Sequence, residues 1–146
     1  MKKLLTILCL VLLSVHSYSQ EVVTENETVI RDGLFYHQLS TEPLTGIIEG
    51  FYKNGQLEYR ANFRDGKQDG LSENFDEEGQ LEIRLNYKDG KQDDLNEFFH
   101  ENGQLEIRGN HKDGEKDGLQ EIFDEDGNLI SRYTIRNGVQ VESETH

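Results

Sequence analysis

Between residues 70 and 93 large apolar side chains recur on every second position. Leu71 and Phe75 alternate with Ser72, Asn74 and Asp76; Leu81, Ile83, Leu85 and Tyr87 alternate with Glu82, Arg84, Asn86 and Lys88. A period of two is that of an extended strand, whereas an amphipathic helix needs apolar residues three and four apart. Glu77-Glu78-Gly79 separates the two runs. A glycine closing a three-residue loop supplies the positive φ of a bulged hairpin. Asp89-Gly90 follows the second run, and Asp-Gly is one of the strongest short turn signals between strands. The block predicts a β-hairpin and the turn into whatever comes next.

What comes next is the same block again. Segments 46–69, 70–93, 94–117 and 118–141 align without a gap, each 24 residues long. The first loop returns as Lys53-Asn54-Gly55, Glu101-Asn102-Gly103 and Glu125-Asp126-Gly127, and the second turn as Asp65-Gly66, Asp113-Gly114 and Asn137-Gly138. The predicted fold is all-β: a single-layer antiparallel meander of tandem β-hairpin repeats, elongated and twisted, each repeat touching only its neighbours. Two strands per repeat advance such a sheet by roughly 10 Å. Around the repeats we expect a lead-in or cap at 20–45 and a disordered polar tail at 142–146.

Residues 1–19 read as a signal peptide. Lys2 and Lys3 precede a short apolar run from Leu4 to Val15, and Ser17-Tyr18-Ser19 places small residues before a cut between Ser19 and Gln20. The run is too short for a stable bilayer span. Cys9, the only cysteine, lies inside it behind Leu8, so the exported chain would carry no disulfide. The expected location is periplasm, cell surface or medium, with no stable membrane insertion after cleavage. Removing Lys2 and Lys3 takes the formal charge from −14 to −16. That charge argues against nucleic acid and anionic lipid surfaces and favours a basic partner.

If Phe75 faces Leu81 across the hairpin and pairing continues unbroken, Glu73 faces Ile83 and Leu71 faces Leu85. One face then carries Leu, Ile, Phe and Tyr, and the other Ser, Asn, Arg and Lys, with Glu58/Arg60, Glu82/Arg84 and Glu106/Arg108 forming a mixed-sign ladder. Glu49, Glu73, Glu97 and Glu121 would sit on the apolar face, one per repeat, beside Phe51, Phe75, Phe99 and Phe123. A dry, unpaired carboxylate costs several kcal/mol. We therefore expect a partly wet groove with an acidic stripe, and these eight residues as the partner-binding set. An apolar face this broad must curl upon itself or be covered by a second copy or a partner.

Nothing in the chain suggests catalysis, a cofactor or a metal. No nucleophile–base pairing stands out, and His37, His100, His111 and His146 lack ligand spacing. Asp124-Glu125-Asp126-Gly127-Asn128 resembles part of a calcium loop, but its twelfth position would be Ile135, where a bidentate Glu is needed.

The Phe-Tyr-Lys-Asn-Gly-Gln-Leu run at 51–57, Asn-Tyr-Lys-Asp-Gly-Lys at 86–91 and Asp-Gly-Leu at 69–71 resemble the MORN-repeat variant, and 31–46 resembles the lead-in of such proteins. Proteins of this build are often grouped as YwqK-family antitoxins. The resemblance implies a hairpin-repeat sheet used for binding or scaffolding, without catalysis. The chain departs from it in two slots. Ser72, Asn96 and Gln120 stand where Trp is frequent, and Asp76, His100 and Asp124 stand where a second aromatic is frequent, kept here only as Tyr52. Three functions stay open: a protein-binding scaffold in the cell envelope, an antitoxin or immunity protein neutralising a basic toxin, and a calcium- or envelope-polymer-binding structural protein.

Overall fold

A computed structural model describes residues 20–145, the side chains of 144 and 145 excepted. The predicted signal segment and Ser19 lie outside the described residues. Gln20 is exposed, and its Nε2 donates to Asn62 Oδ1 at 3.3 Å.

The repeats form an open sheet. Its strands are β4 (Gly46–Phe51), β5 (Leu57–Arg64), β6 (Lys67–Phe75), β7 (Leu81–Lys88), β8 (Lys91–Gln92), β9 (Asp94–Phe99), β10 (Leu105–Lys112), β11 (Glu115–Phe123), β12 (Leu129–Arg136) and β13 (Val139–Thr145). They pair antiparallel in chain order, with the short β8 on β7 before β9 takes over. Both turn types form as predicted. In the longer loops Asp76 N–H donates to Gln80 O at 2.9 Å and Gly79 has φ 86°. In the two-residue turns both members are left-handed, Asp89 at 49° and Gly90 at 83°, the geometry that matches strand twist and favours Asp-Gly.

Register departs from the unbroken pairing. Phe75 pairs with Leu81, but Glu82 is then left over as a bulge, and the next pairs are Asn74 with Ile83, Glu73 with Arg84 and Ser72 with Leu85. The same slip follows the longer loop in the other repeats. One inserted residue moves every later side chain to the opposite face of its partner strand. The large apolar side chains are therefore divided between both surfaces, contrary to the expectation of one greasy face. Leu71, Glu73 and Phe75 share a face with Arg84 and Asn86, while Ser72 and Asn74 share the other with Ile83, Leu85 and Tyr87.

The lead-in caps the sheet in two ways. β1 (Glu21–Thr24) runs parallel to β4, Val23 opposite Ile48, and occupies the free edge of the first repeat. A 3-10 turn, Glu25–Glu27, lifts the chain off the sheet, and β2 (Thr28–Arg31) and β3 (Leu34–His37) form a separate hairpin. That hairpin is tied down through Phe35, whose N–H donates to Gly66 O and whose O accepts from Leu44 N–H. Phe35 stacks on Phe63 with ring centroids 4.7 Å apart. The apolar core, Val23, Leu44, Ile48, Ala61 and Phe63, lies here, where the lead-in meets the first repeat.

At the other end the expected disordered tail is a strand. Residues 142–145 continue β13 and pair with β12, Glu142 opposite Thr134 and Ser143 opposite Tyr133. The outer N–H and C=O groups of β12 need partners, and the Val139-Gln140-Val141 alternation suits a strand.

Candidate interaction surfaces

The bulge builds a row of alternating charge across the sheet. Reading the paired positions from β4 gives Glu49, Arg60, Glu73, Arg84, Glu97, Arg108, Glu121 and Arg132. Each acid comes from the first strand of a repeat and each base from the second. Arg60 Nη2 lies 2.7 Å from Glu49 Oε1, and Arg84 bridges Glu73 at 3.2 Å and Glu97 at 3.3 Å. Arg108 Nε pairs with Glu121, and its guanidinium lies 5.6 Å from the Phe123 ring centroid. The four glutamate side chains are only 8–18% exposed, against 41–46% for these three arginines. The stripe predicted from sequence thus consists of carboxylates already satisfied by arginine, not bare acids among aliphatics. Glu58, Glu82 and Glu106, read from sequence as ladder partners, are instead the extra residues of the bulges.

Phe51, Phe75, Phe99 and Phe123 do lie on this face, as their spacing from the glutamates requires. They pair with Leu57, Leu81, Leu105 and Leu129 in an apolar row between the charge ladder and the longer loops. Phe51 is 48% exposed. The loops beside this row are acidic: Asp76-Glu77-Glu78, Glu101 and Asp124-Glu125-Asp126, with Glu58, Glu82 and Glu106 at the bulges and Lys53 the lone Lys or Arg. The Tyr52 phenol registers that field. Its pKa is raised, first by burial and then by Glu58, Glu82, Glu77 and Asp76. At the opposite rim Lys67, Lys88, Lys91, Lys112 and Lys116 are interleaved with aspartates, so the net negative charge gathers at the longer-loop rim.

The loops also explain the departures from the repeat pattern. Tyr52 donates its hydroxyl to Phe75 O at 2.8 Å, and His100 Nε2 lies 3.1 Å from Phe123 O, each one repeat ahead. Asp76 and Asp124 turn inward instead. The Asp124 carboxylate accepts from Asn128 N–H at 2.7 Å and Asp126 N–H at 3.0 Å, and its pKa is lowered, first by the Asn128 side chain and then by these backbone bonds. The calcium-like stretch is therefore a self-capped hairpin loop. Among the described residues no group of three or more His, Cys, Asp or Glu is placed to hold a metal ion.

The opposite face holds the slots, Ser72, Asn96 and Gln120, where Trp is frequent in the repeat pattern. Asn96 and Gln120 are 1% and 2% exposed, and Ser72 is buried with them. Asn86 N–H donates to Asn96 Oδ1 at 3.0 Å, which fixes the amide; Asn96 Nδ2 then lies 3.1 Å from His111 Nδ1. An amide nitrogen only donates, so in this contact His111 Nδ1 accepts. Its pKa is lowered, chiefly by burial, against a hydrogen bond to the Gly109 backbone and with the Lys116 charge. Gln120 lies across Gly109, where an added Cβ would fall 1.9 Å from its Oε1. Neither motif nor periodicity marked a cleft of about 520 Å³ at the lead-in end of this face, between the β2–β3 hairpin and Ile48, Tyr59, Ala61, Ser72, Asn74, Leu85 and Tyr87.

An open sheet of stacked hairpins, with satisfied polar groups and uncovered faces, defines a tandem β-hairpin repeat protein. The family model for the MORN repeat variant matches residues 44–65, 68–89, 95–113 and 116–137, over half of the chain. The chain belongs to the MORN repeat variant family, a non-catalytic repeat type whose members generally bind proteins or membranes. Among curated proteins no relative matches it.

Proposed function

We propose that the protein is an exported, non-enzymatic binding platform of the cell envelope, and that it takes a basic partner protein. The observation that carries this reading is the segregation of charge. The rim of longer loops holds the excess acid beside an apolar row, Phe51, Phe75, Phe99 and Phe123, while the ladder glutamates are matched by arginines. An apolar row edged by acid suits an amphipathic basic surface, with charge steering the encounter. The ladder glutamates Glu49, Glu73, Glu97 and Glu121 contribute by holding the row in register. Export rests on the Lys2-Lys3 start, the apolar run and the Ser19–Gln20 junction.

The test is affinity capture from an envelope extract at low and high salt, identified by mass spectrometry. The comparison is a variant with Glu77, Glu78, Glu101 and Glu125 changed to Lys, all four being exposed loop residues. A protein retained by the parent at low salt and lost by the variant supports the reading; unchanged capture overturns it. An antitoxin role would use the same rim, and the captured protein would then be a basic toxin encoded nearby.

A further inference from the structure

The cleft under the lead-in hairpin has walls built from the sheet and the lead-in together. Its floor is the paired row Ile48, Ala61, Ser72 and Leu85, in which the two small central residues leave the space. Tyr59 forms one wall, and its ring lies so close over Gly50 that an added Cβ would fall 2.2 Å from Cε1. Phe35, stacked on Phe63, and the β2–β3 hairpin form the roof. Asn74 and Gln68 add carboxamides to the lining.

Two features say what the cleft would take. Glu25 lines it, and no Lys, Arg or His does. Burial, and after it the nearby Glu25 charge, pushes the Tyr59 pKa up to about 12. Among the described residues Glu25 makes no ion pair, unlike the ladder glutamates. A carboxylate at an aromatic cleft that supplies no cation of its own is complementary to a planar cation on an aliphatic stem. The volume of about 520 Å³ falls within the range of roughly 300–1,000 Å³ for ligand clefts. It exceeds one side chain, so flanking peptide fits as well.

We propose that this cleft receives an arginine side chain of a partner protein, the guanidinium pairing with Glu25 and the stem lying against Tyr59 and the apolar floor. The inference rests on the basic-partner reading above and gives it a second, separate contact on the opposite face.

The experiment titrates the ¹⁵N-labelled protein with three blocked tripeptides, Gly-Arg-Gly, Gly-Lys-Gly and Gly-citrulline-Gly, followed by amide shifts. We expect saturable shifts confined to the cleft strands, with Arg binding at least about tenfold more tightly than neutral citrulline (an order of magnitude being about 1.4 kcal/mol) and more tightly than Lys. Glu25→Gln should weaken Arg binding severalfold while leaving the spectrum folded, since Thr24 donates its capping bonds to the Glu27 carboxylate and not to Glu25. Tyr59→Phe should weaken it less. Glu77→Gln, on the loop rim, should leave it unchanged. Equal response to arginine and citrulline, insensitivity to Glu25→Gln, or shifts at the loop rim alone would overturn the proposal. Those failures leave capture by the rim intact, whereas loss of rim-dependent capture with the peptide still bound removes the rim reading alone.

Discussion

Arg84 bridges two carboxylates, Glu73 and Glu97, and removing it measures what the charge ladder does. In Arg84→Met the stem remains and the charge goes. Glu73 and Glu97, whose side chains are 15% and 18% exposed, are left on β6 and β9, on either side of β7, with no cation between them. A gross Coulomb term of about 4 kcal/mol per pair at 4 Å and an effective dielectric near 20 sets the ceiling. Exposed pairs measure about 0.2–1 kcal/mol, and loss of one partner of a fully buried pair costs about 3–5 kcal/mol. Here the acids are mostly buried and the base is 41% exposed, so screening through Arg84 discounts the upper figure. We expect a loss of about 2 kcal/mol. With a urea slope of about 1–3 kcal/mol per M, the midpoint should fall by about 1 M.

The assay is urea unfolding of Arg84→Met, of Glu73→Gln/Glu97→Gln and of the triple variant, at low salt and in 1 M NaCl. If repulsion between bared glutamates dominates, the triple variant recovers most of the loss, and salt, with a Debye length of about 3 Å at 1 M, recovers part of it. A loss below about 0.5 kcal/mol, or one unchanged when both glutamates are neutral, would refute the argument that the ladder holds the register.

Asp94 stands at φ 75° where its counterparts are Gly70 and Gly118; Asp94→Gly should stabilise by about 0.5–1 kcal/mol in denaturant unfolding, since only glycine adopts that region freely. Tyr52→Phe removes the hydroxyl donated to Phe75 O and should lower the denaturant midpoint in the same assay. Ultraviolet titration should find a phenol ionising near pH 12 that Tyr59→Phe deletes. Because the folded value is raised from 10.0, the stability Tyr59 contributes is fully present below about pH 10 and is lost as pH rises toward 12. His111 has the opposite sign. Its pKa is depressed below the ordinary 6.5, so its contribution is present above that value and is lost as pH falls through the folded pKa, and His111→Gln should flatten thermal stability against pH there.

The turns and strands were legible because their signals are local: Gly79 and Asp89-Gly90 dictate backbone geometry whatever surrounds them. The register was not, because alternation fixes faces only within a strand and one extra residue at Glu82 inverts the relation between strands. A signal was available. With unbroken pairing Glu73 faces Ile83; a single slip sets Glu opposite Arg in every repeat. Charge complementarity repeated four times is a stronger constraint than apolar matching on a sheet with two wet faces. The predicted phenylalanines and glutamates share a face in either register. The cleft was illegible, since Glu25 and Tyr59 are brought together only by a lead-in that leaves the sheet at the 3-10 turn, and neither periodicity nor motif encodes that departure.

The four repeats are equal in length but not in coupling. Repeats one and two are braced by Tyr52 on Phe75 O and Asn54 on Glu77 O, and repeats three and four by His100 on Phe123 O and Asn102 on Glu125 O. Between two and three the aromatic brace gives way to the self-capping Asp76, Gln80 on Glu101 O is the loop contact, and the strand is interrupted between β8 and β9 with Asp94 left-handed. In a quasi-one-dimensional array stability is a sum of unit and nearest-neighbour terms, so the weakest junction sets where the array opens first. Arg84, reaching from Glu73 to Glu97, spans that junction. Its loss should therefore appear in hydrogen exchange as faster opening of β7 and β9 before β4 and β5, which the lead-in core holds. Uniform acceleration along the sheet would mean that the repeats unfold as one unit and that the alternation of braces is without consequence.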